Sequence, residues 1–269
     1  MLFLGVGVFA ATNSIDSSAR KAGTETIRLF NGKDLTNFYT YLDQDKYDDP
    51  LHVFTVVKED GAPAIRVSGE KFGGFITRAE FANYHLVVEF KWGTHTWASR
   101  LDKAMDSGIM LHCNGPDGNY GGFWMASVEC QIIQGGCGDF IMVEGKDAAG
   151  QPIKSALTVE SERSGNEYYY RPGAPRLTRD TGRFNWYGRD PQWQDAKGFR
   201  GQRDVESPAG QWTRIEAICD GDKITNLVNG QIVNVATASR LQKGKILFQS
   251  EGAEIFYRRI ELTPLKNTR

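Results

Sequence analysis

Apolar and polar residues alternate with period two over short runs in this chain, and Gly-, Asn- and Asp-rich turn signals separate the runs. The clearest run is His85–Trp92, with Leu86, Val88, Phe90 and Trp92 on one face and His85, Val87, Glu89 and Lys91 on the other. Trp212–Asp220, Lys223–Val228 and Gln231–Ala236 read as consecutive hairpin strands. Their turns are Asp220-Gly221-Asp222 and Asn229-Gly230, and Asn-Gly is a strong hairpin signal. Val53–Val57, Ala64–Ser68, Phe75–Arg78, Phe140–Val143, Ala156–Glu160, Lys245–Ser250 and Glu254–Thr263 extend the series. No sustained helical period competes with these strands. The pattern predicts an all-β fold, two antiparallel sheets packed as a jelly-roll sandwich.

Two runs carry chemistry. Ser107–Cys113 and Ser127–Ile133 are expected to be strands joined by a loop rich in Gly, Asn and aromatic residues. In the first, Ile109, Leu111 and Cys113 share a face, leaving Met110 and His112 on the other. In the second, Val128, Cys130 and Ile132 oppose Ser127, Glu129, Gln131 and Ile133. Paired as a hairpin, the strands are expected to bring His112 and Glu129 together on the polar face. A polar face of an antiparallel sheet can equally be ordinary solvated surface. The clustering of His, Glu and Gln beside Gly-rich loops favours a site.

Composition narrows the rest. The 269 residues are 40% hydrophobic and 12% aromatic, enough for a sizeable core. The net charge of −1 gives no electrostatic reason to expect nucleic acid. The opening MLFLGVGVFAATNS resembles the apolar part and cleavage end of an export signal and is too short to span a bilayer. Residues 1–24 are therefore expected to be leader and linker, 25–269 one domain, and the protein periplasmic or extracellular. Cys113, Cys130, Cys137 and Cys219 fit two disulfides or four buried thiols equally well. The acidic segment Tyr41–Pro50 lacks the spacing of a calcium loop and reads as solvated. Between Arg163 and Gly210 periodicity is lost while aromatic residues abound. Trp186 and Trp193 there are candidate sugar-stacking platforms, or covers for a sheet edge.

The pieces LFNGKDL (Leu29–Leu35), DSGIMLHC (Asp106–Cys113), ECQIIQGGCGDF (Glu129–Phe140), VNG (Val228–Gly230) and ILFQSEGAEIFYRRIEL (Ile246–Leu262) resemble, in this order, the 3-keto-disaccharide hydrolase family. The resemblance implies a concanavalin-like jelly roll and action on glycosides oxidised at C3. Related glucanases carry carboxylates at the first, third and sixth positions of one strand motif. Here those positions hold Glu129, Gln131 and Gln134, so the nucleophile and acid/base about 5 Å apart that a retaining glycosidase needs are not both present. A C3 ketone makes the C2 hydrogen acidic, and a base can then trigger β-elimination of the C1 substituent.

The roles that follow are Glu129 and His112 as base and acid in either order, with Gln131, Gln249 and Asp139 contacting substrate and Arg258 as oxyanion donor. A divalent metal held by His112, Glu129 and Asp139 can replace that donor. A non-catalytic carbohydrate-binding module on the same sandwich is the competing function.

Overall fold

The computed structural model describes residues 25–97 and 100–266. The expected leader lies outside them. In chain order the strands are β1 (Ile27–Arg28), β2 (Phe38–Leu42), β3 (Phe54–Glu59), β4 (Ala62–Val67), β5 (Gly73–Thr77), β6 (Tyr84–Thr96), β7 (Asp106–Asn114), β8 (Ala126–Ile133), β9 (Phe140–Val143) and β10 (Gly145–Lys146). They continue with β11 (Pro152–Ile153), β12 (Leu157–Ser164), β13 (Glu167–Tyr170), β14 (Arg176–Arg179), β15 (Gly182–Phe184), β16 (Thr213–Asp220), β17 (Lys223–Val228), β18 (Gln231–Thr237), β19 (Lys245–Ser250) and β20 (Ala253–Pro264).

A seven-stranded sheet runs β15-β9-β8-β7-β19-β5-β2. An eleven-stranded sheet has the path β13-β12-β18-β17-β16-β6-β20-β4-β3, with β1 on β20 and β14 on β12. Every pairing between strands is antiparallel. The all-β, two-sheet expectation holds.

Alternation explains how the sheets pack. Ile109, Leu111, Val128, Cys130 and Ile132 meet Leu86, Val88, Phe90, Ile215 and Ala217 in one core. Phe75 stacks on Phe248 there at 4.6 Å between centroids, with Tyr257 edge-on to both. The seven-stranded sheet also has an apolar patch on its outer face, where Tyr41, Ile76, Met110, Cys113 and Leu247 cluster. Trp124, from the loop after β7, packs on this patch and donates its indole N–H to the Gly73 carbonyl. One end of the outer face is thus roofed, and the polar residues of β7, β8 and β19 lie beside that roof.

One expectation needs correction, and one open alternative is decided. The segment from Arg163 to Gly210 is not uniformly irregular, because β13, β14 and β15 form within it. Tyr168, Tyr169 and Tyr170 pair with β12, and Phe184 pairs with Phe140 at the edge of the seven-stranded sheet. The aromatic rings concealed short strands whose register only tertiary pairing supplies. All four cysteines are free and buried, so the disulfide alternative is not realised. Asp49 of the acidic segment accepts from the Val53 and Phe54 amides, and Asp45 pairs with Lys71. These carboxylates brace the chain.

Candidate active site

Strand β8 sets out Glu129 and Gln131 on the outer face, opposite the core residues Val128, Cys130 and Ile132. The register places Met110 beside Glu129 and Gly108 beside Gln131. On the other side of β7, β19 brings Gln249, and Glu251 follows it. Gly108 creates the room for this convergence, since a Cβ there would strike both the Glu129 carboxylate and the Gln249 amide.

The site is buried and charged. Glu129 is 4% exposed and Gln249 fully buried. Burial, reinforced by the nearby Glu251 charge, pushes the Glu129 carboxyl up to about 8. Arg183 and the Gln249 amide oppose that rise. Burial also raises Glu251, to about 7, against Arg100 and Arg183. Burial and their mutual repulsion thus favour a single proton on this carboxyl pair near neutral pH, an arrangement suited to acid–base work.

Around them Gln131 donates from Nε2 to Asp106 at 2.9 Å, and Asp106 is paired with Arg100. Arg100 also lies 3.8 Å from Glu251 and 3.1 Å from Asp195. Gln131 Oε1 and both polar atoms of Gln249 make no well-formed hydrogen bond within the protein. Buried amides without partners are costly, so their concentration beside Glu129 points to a ligand that completes them.

The loop after β8 is held by polar braces. Gln134 Oε1 accepts from the Met105 and Gly198 amides, and Glu206 accepts from Gly135 N–H and the Trp92 indole. Asp139 is fully buried. It accepts from the Trp186 amide at 2.7 Å and pairs with Arg189 and Arg183. Its oxygens are committed to holding these arginines beside the site.

Three expected site residues lie elsewhere. His112 does not share the Glu129 face. A register shift follows Leu111, and His112 adopts a left-handed φ of 54°, so the bulge reverses the side-chain phase. His112 turns inward edge-on to Tyr84 of the opposite sheet, while Cys113 joins Met110 on the outer face. Its Nδ1–H donates to the Leu241 carbonyl at 2.9 Å, and burial lowers its pKa to about 4. Trp186 is 1% exposed and belongs to the core, so it is no sugar platform. Arg258 leaves the eleven-stranded sheet beside core residue Tyr257, stacks on Trp212 and pairs with Glu89 at 2.7 Å, away from Glu129.

The metal set His112, Glu129 and Asp139 is therefore not assembled. Among the described residues no group of three or more His, Cys, Asp or Glu side chains could hold a metal ion. Trp193 is half-buried, donates to the Gln134 carbonyl and carries Arg189 over its ring at 4.4 Å.

Sequence reasoning missed Glu251, Arg100, Asp106 and Arg183. Glu251 and Asp106 had a readable signal, Glu251 in its phase with Leu247 and Gln249 and Asp106 in its phase with Gly108 and Met110.

No curated protein matches the chain in sequence. Solved structures similar to it include two provisionally assigned glycosyl hydrolases from Parabacteroides distasonis. One is 17% identical, covering 90% of this chain and 94% of that one with a TM-score of 0.49. The other is 19% identical, covering 90% and 100% with a TM-score of 0.48. A Bacillus licheniformis β-glucanase is 12% identical over 92% of this chain and 100% of its own, with a TM-score of 0.44. A family model described as the 3-keto-alpha-glucoside-1,2-lyase-like domain matches residues 25–263. With that match spanning both sheets and the Glu129 cluster, the chain belongs to the 3-keto-alpha-glucoside-1,2-lyase-like family.

Proposed function

We propose that this protein cleaves 3-keto-glycosides by removing the C2 proton and eliminating the C1 substituent. The observation that carries this reading is the Glu129 carboxyl, raised by burial and set beside Gln131 Oε1 and a Gln249 amide that make no well-formed hydrogen bond within the protein. The C2–H bond breaks, its proton passes to ionised Glu129, and the electron pair moves onto the C3 oxygen as an enolate. The Gln249 amide, whose Nε2 has no well-formed partner in the protein, supplies the donor for that oxygen. The pair then returns as the C1–O bond breaks, and protonated Glu251 gives its proton to the leaving oxygen. Water then adds to the enone: its OH goes to C1, its other proton passes to ionised Glu251, and Glu129 returns its proton to C2.

Arg183 and Arg100 favour the ionised carboxyl at each stage, while burial and carboxylate repulsion disfavour double ionisation. One proton shared between two carboxyls is the state this cycle requires. His112 has no part in it. Export of the protein belongs to the same proposal, and N-terminal sequencing of the chain from its native host tests it.

The direct test offers a 3-keto-glucoside and its unoxidised parent to the purified protein. Release of the leaving group from the ketone alone is expected. Efficient release from the parent would replace this reading with ordinary glycoside hydrolysis.

A further inference from the structure

Three cavities share walls, the first of them lined by Arg183 and Arg189, the two arginines that pair with Asp139. The first, about 530 Å³, is bounded by Arg183, Asn185 and Trp193 among others. The second, about 360 Å³, shares Arg189, Asp190 and Pro191 with the first and adds Arg171, Tyr187 and Arg203. The third, about 730 Å³, shares those last three and continues past Tyr170 and Pro172 to Ile232. Together they make one groove. It begins at Arg183, whose charge acts on both Glu129 and Glu251, and ends at an exposed isoleucine.

The groove's chemistry is uneven along its length. Near the site, Arg189 and Arg183 are neutralised by Asp139, and Asp190 accepts from the Gln192 and Gln202 amides. The buried Asn185 Oδ1 in the first cavity's wall has no partner. Further out the balance changes. Arg203 is exposed and makes no ion pair among the described residues, while Arg171, whose guanidinium donates to the Tyr170 and Tyr187 carbonyls, has exposed Glu162 at 3.5 Å as its ion-pair partner. Tyr170 and Tyr187 line the same cavity as these two arginines. Aromatic faces next to an uncommitted guanidinium suit a ring that carries an anion.

Resting on the elimination reading, we propose that this groove binds the leaving-group half of the glycoside and selects leaving groups bearing a carboxylate. The oxidised ring occupies the Glu129 cluster, so its C1 substituent extends past Arg183, and a carboxylate at its far end meets Arg203.

The test compares 3-keto-glucosides of two similar phenols, 4-hydroxyphenylacetate and 4-(2-hydroxyethyl)phenol, in wild type and in Arg203→Gln. The acidic substrate should show kcat/KM about tenfold higher than the neutral one, the worth of one charge-assisted contact. Arg203→Gln should remove that preference and leave the neutral substrate's rate unchanged. Equal kcat/KM for both substrates in wild type overturns the groove proposal while the elimination reading stands. If neither substrate turns over, the elimination reading fails, and calorimetry with free 4-hydroxyphenylacetate decides the groove. Binding weakened about tenfold by Arg203→Gln supports it, and no binding to wild type overturns it.

Discussion

Glu129 and His112 sit on adjacent strands of one sheet, both almost wholly buried, and burial moves their pKa values in opposite directions. Glu129 rises to about 8 and His112 falls to about 4, because burial disfavours the charged form of each. What separates them is the company they keep. Glu129 faces a second raised carboxyl, the Arg183 charge and a Gln249 amide that makes no well-formed hydrogen bond. His112 faces a backbone carbonyl and a tyrosine ring between the sheets. Burial alone does not mark a catalytic group. A shifted group is useful where partners for both protonation states surround it and substrate can reach it.

The strongest challenge to this contrast is Glu129→Gln. The substitution keeps shape and burial but removes the base, so kcat should fall by about a hundred- to ten-thousand-fold with the fold retained. A loss below tenfold, with unaltered thermal unfolding, would move the chemistry elsewhere.

The same inside–outside logic applies to the two tryptophans of the long segment. Trp186→Ala should destabilise the protein by about 3–5 kcal/mol, because it empties a packed core position. Trp193→Ala should instead raise KM several-fold with little change in the unfolding midpoint. Equal effects on stability would erase the distinction between them.

His112 sharpens the comparison through pH. Its folded pKa lies below the ordinary 6.5, so the folded state binds fewer protons than the unfolded chain. The stability it contributes is complete above pH 6.5 and is lost as pH falls through about 4, roughly 3 kcal/mol in all. Glu129 has the opposite sign. Its folded pKa exceeds 4.5, so its contribution is complete below 4.5 and is lost as pH rises toward 8. Chemical denaturation across this range should show a shallower acid limb in His112→Asn and a shallower alkaline limb in Glu129→Gln. His112→Asn should keep near-normal turnover where it is folded. A catalytic loss matching that of Glu129→Gln would place His112 back in the mechanism.

Much of this was legible in the sequence. Alternation set the strands and the faces of β8, and the same phase argument placed Gln131 and Gln249 correctly. His112 misled because one bulged residue reverses phase, and a left-handed histidine leaves no mark in a hydrophobic pattern. Trp186 misled because a loop-like stretch hid short strands paired to distant partners. Arg100 and Arg183 approach the cluster from a loop and an edge strand, positions that tertiary packing alone determines.

The central claim is that Glu129 removes a proton from C2, and isotopic labelling there tests it most directly. A 3-keto-glucoside deuterated at C2 should release its leaving group more slowly than the protiated compound, or lose its label to solvent, and Glu129→Gln should suppress both release and exchange. Release at an unchanged rate with the label fully retained at C2 would contradict the account.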